Sequence, residues 1–264
     1  CEGVLMCKKY QLTNESKQIK DRMTKQITNL YRIKALKDFD DVKAGDLGGF
    51  IEKEANLSHE GNCWVYDDAW VYGHARVCHN AKIRHNSQIC GHVYGNAEIY
   101  GKAFISQYAK IYDNACVYGI AHVADYVYGN AHVGGSARVY TEAHIYDNAH
   151  LSHNAWVYNY ARVYGHAQVS GSACVYSHAK IYNYAVVNSR AKIYGKVYGN
   201  ASVGGNAEVY GAVYGNAKIS YYAKVWGKAY GKAKLNRQSK LRVVPKNCEV
   251  YESDNVVKIV DTEE

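Results

Sequence analysis

The chain has 264 residues, and its 32 Lys and Arg against 24 Asp and Glu give a net charge of +8. No apolar run reaches the roughly 18–20 residues of a membrane span. A hydrophobic content of 48% with 21% charge excludes a disordered chain. Tyr occurs 27 times against 3 Phe and 1 Pro, so most aromatics are expected at the surface, where an amphipathic ring keeps its hydroxyl wet.

Residues 1–60 read as an N-terminal capping segment. The start at Cys1-Glu-Gly-Val-Leu carries no basic-then-apolar signal and points to an altered or incomplete start. Leu30–Leu36 alternates like a strand, and Gly45–Gly49 reads as a turn leading into Phe50-Ile51. The eight cysteines form no CxxC pair, which fits neither a zinc site nor a disulfide framework and points to a reducing, cytoplasmic setting.

Residues 61–240 are a repeat. From Val65 onward the chain reads V-Y-G-N-A-x again and again, as in Val127-Tyr-Gly-Asn-Ala-His132. In A-x-V-Y, strand alternation puts Ala and Val on one face and x and Tyr on the other. The G-N, D-N or N-Y pair that follows is a turn, because Gly and Asn tolerate positive φ. One such rung cannot bury its inner face alone, so successive rungs must coil and stack.

Five rungs have four residues instead of six: Ile89–His92, Val123–Tyr126, Ile193–Lys196, Val209–Ala212 and Val225–Lys228. Loss of two residues keeps the inward set inward, whereas loss of one would reverse it. All five fall on the same third of the rung count, which predicts a three-sided parallel solenoid of about ten coils on that strand periodicity. Residues 241–264 read as a C-terminal capping hairpin, Cys248–Tyr251 and Val256–Val260 joined across Ser253–Asn255.

The same phase orders the exterior. One side is expected to carry Tyr94, Tyr112, Tyr128, Tyr146, Tyr164, Tyr182, Tyr198, Tyr214 and Tyr230, and a second Tyr140, Tyr158, Tyr176, Tyr194, Tyr210 and Trp226. The third has small or polar residues such as Gly134, Ser152 and Asn188. Of the histidines, His74, His79, His85, His92, His166 and His178 are expected in turns. His132 and His150, one coil apart, with His153 in the next corner, are the weak candidates for a metal. Residues 180–240 hold eleven basic groups against Glu208 alone. Lys192, Lys196, Lys218, Lys224, Lys228, Lys232, Lys234 and Lys240 spread over three sides as a basic collar, suited to an acidic partner.

The unit V-Y-G-N-A-x resembles the hexapeptide repeat of the trimeric superfamily of left-handed parallel β-helices best known for acyltransferases; left-handedness comes from that resemblance. The head, Asp46–Ile51 through Asn56–Asp68, is similar to uncharacterised proteins of phages and prophages and to bacterial proteins assigned as acyltransferases by fold. Here Tyr replaces the Gly or acid usual at the second position, and no catalytic residue is carried over. An acyltransferase of this fold implies a His base and a loop protruding from the coils. The rungs run with deletions only, which points away from catalysis.

The expected function is therefore a non-catalytic, rigid binding or assembly module, phage- or prophage-encoded and cytoplasmic in a bacterial host. It would engage itself as a homo-oligomer, or an acidic protein or anionic ligand, through Tyr112, Tyr128, Tyr146, Tyr164, Tyr182, Tyr198, Tyr214, Lys218, Lys224, Lys228 and Lys234. No cofactor is expected. The alternatives are a trimeric acyltransferase using acetyl-coenzyme A, and a binder of nucleic acid or anionic ligands, with nucleic acid not favoured.

Overall fold

The computed structural model describes residues 8–20 and 25–258. It is almost wholly β, and it divides into two compact units, Cys1–Ala124 and Asp125–Glu264. Each is a three-sided parallel β-solenoid with strands mostly two residues long. Cys1, Cys7, Ile259 and Val260 lie outside the described residues, and no disulfide joins the described cysteines. Among the described residues no helix is long and apolar enough to cross a membrane.

In the N-terminal unit, β1 (Tyr10–Lys20) and β2 (Ile27–Ala35) pair antiparallel, and β2 pairs antiparallel with β3 (Leu47–Ile51). The expected turn at Gly45–Gly49 is thus shorter: Gly45 has φ +98°, but Leu47 to Gly49 already belong to a strand. β3 is where the pairing changes hand, because Phe50 stands parallel to Trp70 and starts the coil. Parallel register then runs Trp70, Gln88, Phe104 and His122 on one side. A second side stacks Arg76, His92 and Lys110, and a third Trp64, Lys82, Glu98 and Cys116.

The C-terminal unit repeats the scheme. One side runs from Tyr126-Val127 through His144, Arg162, Lys180, Lys196 and Ala212 to Lys228. A second runs from Arg138 through Trp156, Cys174, Lys192, Glu208 and Lys224 to Val243. The third runs from His132 through His150, Gln168, Val186, Ser202 and Lys218 to Lys234. Cys248–Ser253 pairs parallel with Lys228–Leu235 and antiparallel with Val256–Lys258, so the terminal hairpin also extends the coil.

Alternation holds throughout. Ala161, Val163, Ala167, Val169, Ala173 and Val175 are fully buried, as are their counterparts in other coils. Four of the five four-residue rungs turn at a glycine, Gly91, Gly195, Gly211 or Gly227, where an added Cβ would strike the carbonyl of the corner one coil on, and the rung Val123–Tyr126 has Ala124-Asp125 instead. Longer corners stack Asn amides instead: Asn80 donates to Asn96 and Asn96 to Asn114 at 3.0 Å, and Asn130 donates to Asn148 at 3.1 Å.

Each coil donates N–H groups to the carbonyls of the next, as Cys63 does to His79. Carbonyls of the first coil therefore need donors from elsewhere. The cap supplies them, from backbone N–H groups (Phe50 to Ala69, Glu52 to Val71, Ser58 to Val77) and from side chains. Lys9, wholly buried, directs Nζ to the Cys63 carbonyl at 2.8 Å and the Gly61 carbonyl at 3.2 Å. The Tyr10 hydroxyl donates to Leu57 at 2.8 Å, and Asn56 Nδ2 to Ala75 at 2.9 Å. Replacing Lys9 with Met should cost about 1–3 kcal/mol in urea unfolding, because buried carbonyls lose their donor. Lys8→Met, which removes only an exposed pair with Glu54, should cost under about 1 kcal/mol.

Candidate functional site

A concavity of about 630 Å³ lies within the N-terminal unit, a size ordinary for a small-molecule site. One wall is the outward face of Arg76, His92 and Lys110, adjacent in register, with Tyr94 beside them. The other wall is the cap segment Glu54–Glu60. It is held over the coil by a bridge between Leu57 and Val77 and by the Ser58 N–H donating to the Val77 carbonyl at 2.9 Å.

The His92 expectation needs correction. It is not a turn residue but the outward member of strand His92–Val93. The short rung leaves only Cys90-Gly91 for the corner, so the residue before Val93 joins the strand.

His59 is fixed on two sides. Its Nδ1 accepts the Lys9 N–H at 3.2 Å, and its ring stacks on Tyr10 at 4.3 Å. In the neutral ring the proton then sits on Nε2, which has no hydrogen-bond partner among the described residues and lies 4.0 Å from Glu54 Oε2. Burial pushes His59 below its ordinary pKa, against the pull of Glu54. Burial also lowers His92, helped by Lys110 and Arg76. Both rings are thus biased to the neutral form. Glu54 is held low by the Lys8 ammonium 2.7 Å away, and burial pushes the Cys78 thiol up, away from the thiolate. The pocket therefore offers a neutral imidazole as proton acceptor at His92 and two cations, Arg76 and Lys110, while His59 Nε2 is buried within the wall.

The tyrosine columns form as stacks. Tyr94 and Tyr112 lie 4.9 Å apart with planes 1° from parallel. In the C-terminal unit Tyr128, Tyr146, Tyr164, Tyr182, Tyr198, Tyr214 and Tyr230 follow at 4.8–5.0 Å. Each interior ring has both faces against neighbours, so edges and hydroxyls meet solvent. The second column stacks from Tyr176 through Tyr194 and Tyr210 to Trp226, while Tyr158 meets Tyr176 edge-on. In the N-terminal unit the side of Glu98 and Cys116 also carries a stack, Tyr100 on Tyr118.

Lys218 and Lys234 are partners on adjacent strands of one side. Lys224 lies on another, where Glu208 takes it at 3.1 Å and Lys192 at 3.6 Å. Lys228 stands on the third, in register with Glu249. His132 and His150 meet edge-on at 6.0 Å, and His153 Nδ1 is 3.0 Å from Ser152 Oγ. No group of three His, Cys, Asp or Glu among the described residues is placed to hold a metal ion.

Comparison with known proteins finds 62 residues that are 44% identical to a protein of Escherichia coli (strain K12) named "Uncharacterized acetyltransferase YdcK". The match takes in 23% of this chain and 19% of that protein. The chain thus spans about a fifth of the relative it matches. No protein-family model matches the sequence.

The pocket is not legible in the sequence, because no loop is inserted between rungs and the second wall comes from the cap. One signal was present: Arg76, His92 and Lys110 succeed one another at the same outward position. The lowered histidine values fix a pH effect. Below about pH 6.5 the unfolded chain takes up protons that folded His59 and His92 resist, so stability falls as pH drops through that value. Urea midpoints should be flat above about pH 7 and decline below about 6.5, and the double variant His59→Gln, His92→Gln should make that decline shallower without removing it, because burial lowers His144 and His150 as well.

Proposed function

We propose that the protein transfers an acyl group, with the pocket between Glu54–Glu60 and the Arg76–His92–Lys110 face as its reaction centre. The observation that carries this reading is a neutral-biased His92 between two cations in a pocket of about 630 Å³. The partial similarity to a protein named as an acetyltransferase supports it.

In this reading His92 takes the proton from the acceptor's hydroxyl or amine as it attacks the thioester carbonyl; the adduct then collapses with cleavage of the C–S bond, and the carrier's thiolate leaves with the proton that His92 returns. His59 helps shape the wall, its Nε2 buried away from a bound thioester. Arg76 and Lys110 hold the anionic groups of the carrier, acetyl-coenzyme A being the natural choice. The cap supplies the second wall, so no loop need protrude from the coils.

Calorimetry with acetyl-coenzyme A should show saturable binding that weakens about tenfold or more in Arg76→Ala, Lys110→Ala. His92→Ala should keep that binding and lose about 10²–10⁴-fold in thioester turnover against an amine or hydroxyl acceptor. Absence of acetyl-coenzyme A binding would refute the proposal.

A second reading, favoured by the tyrosine stacks, is a rigid assembly module engaging a second copy of the chain. The triple variant Tyr146→Ser, Tyr164→Ser, Tyr182→Ser should then shift the sedimentation coefficient, and an unchanged value speaks against it.

A further inference from the structure

A concavity in the C-terminal unit, on the side that begins at His132, carries an inference independent of acyl transfer. Lys218 and Lys234 are partners in register on adjacent strands there. Their backbones are thus about one strand spacing, roughly 4.8 Å, apart, and like charges so placed repel. Among the described residues neither lysine is in an ion pair. Another side shows how the protein settles two lysines by itself. Glu208 stands in register between Lys192 and Lys224 and lies 3.6 Å and 3.1 Å from their Nζ atoms. No residue stands between Lys218 and Lys234, so the anion that would relieve them must come from outside.

The surface beside these lysines is hollow. At the outward position that holds stacked rings on the tyrosine side, this side has Gly204, Ser220 and Asn236. A concavity of about 300 Å³ lies over them, walled by Asn188, Ser202, Ser220, Asn236 and the two lysines, with no acid. Its floor is Gly204, where an added Cβ would strike Asn188 Oδ1. The Asn188 Oδ1 accepts from the Ser189 hydroxyl at 3.1 Å, and the Asn236 Oδ1 accepts the Gln238 N–H at 2.8 Å. The two amides therefore keep their N–H groups for donation. At Gly205 a second concavity of about 390 Å³ adjoins, lined by Ser172, Ser189, Arg190 and Asn206.

These groups select a ligand class. Two ammonium groups match a phosphomonoester, which carries about −1.5 to −2 charge at neutral pH and three terminal acceptor oxygens. A carboxylate brings one charge and two oxygens, and leaves amide donors unused. A long polyanion gains little, because the preceding outward residues of this side are Gln168, Val186 and Ser202, none of them cationic. The hydroxyls and amide of the adjoining concavity suit a polyol.

We propose that these joined concavities bind a small sugar phosphate, with the phosphoryl group on Lys218 and Lys234 and the hydroxylated remainder toward Ser172, Ser189, Arg190 and Asn206.

Titration calorimetry of the full chain with glucose 6-phosphate, at low salt and about pH 7.5 where the phosphate is dianionic, tests it. Saturable binding is expected, with none from glucose and about threefold or more weaker binding of orthophosphate. Lys218→Met, Lys234→Met should weaken the sugar phosphate about tenfold or more. Lys180→Met, Lys196→Met removes another pair of lysines in register, one whose flank is occupied by stacked Tyr182 and Tyr198, and should change binding by less than about twofold. Gly204→Val alters no charge but fills the floor, and should weaken binding about fivefold or more. The proposal is overturned if glucose 6-phosphate does not bind or if the two lysine pairs matter equally. It is also overturned if orthophosphate binds as tightly, or if Gly204→Val, with an unchanged circular dichroism spectrum, binds as the parent does.

Discussion

One constraint organises the protein: the two-residue period of an extended strand must keep Val and Ala inward at every rung. Each inner face is only one aliphatic side chain and one methyl wide, so a rung has no stability of its own. Burial comes from stacking on its neighbours. A slip of one residue would send every following Val into water, whereas a loss of two shortens a corner and leaves the pattern intact. The chain uses the second freedom repeatedly and shows no instance of the first. At four of the five shortened rungs glycine lets the tightened corner approach the next coil's carbonyl, as at Gly195 and Gly211.

The same stacking creates a demand at the end of the N-terminal solenoid. Interior coils satisfy one another's backbone, but the first coil offers carbonyls with no coil before it to donate. The cap answers with backbone N–H groups of Phe50, Glu52 and Ser58, the Lys9 ammonium and the Asn56 amide, while the Tyr10 phenol ties the Leu57 carbonyl within the cap. The candidate pocket is a by-product of that arrangement. Tyr10 and the Lys9 backbone fix the His59 ring, and Leu57 pins the segment against Val77, which leaves a cleft over Arg76, His92 and Lys110. A capping device thus supplies the wall that an inserted loop would otherwise provide.

The coils were legible because a repeat states its rule many times over. Inward Val and Ala, the glycine corners and the aligned tyrosines all follow from alternation and a three-rung turn. Of the cap only the strand at Leu30–Leu36 was legible, found as Ile27–Ala35; its pairing was not, because the cap's elements occur once. Tyr10–Lys20 has no regular alternation, and its partner β2 has an exposed Ile27, so neither announces an antiparallel pair. A buried Lys9 is invisible to any reading that sends lysine to the surface. His92 was misplaced for a related reason: a shortened corner moves the boundary between turn and strand by two residues. The stack of Tyr100 on Tyr118 was missed because the small-residue pattern of one side was read only from Gly134 onward.

The most direct test of the account lies at the short rung Ile89–His92, whose neighbours in the same unit turn through full six-residue corners. Insertion of Asn-Ala between Gly91 and His92 restores a complete hexapeptide, whereas insertion of Asn alone shifts the register by one. Urea unfolding followed by far-ultraviolet circular dichroism distinguishes them. The two-residue insertion should keep a cooperative transition with a midpoint near the parent's, and the single insertion should abolish cooperativity or lower the midpoint severely. Equal midpoints for the two would contradict the claim that inward alternation holds the structure together.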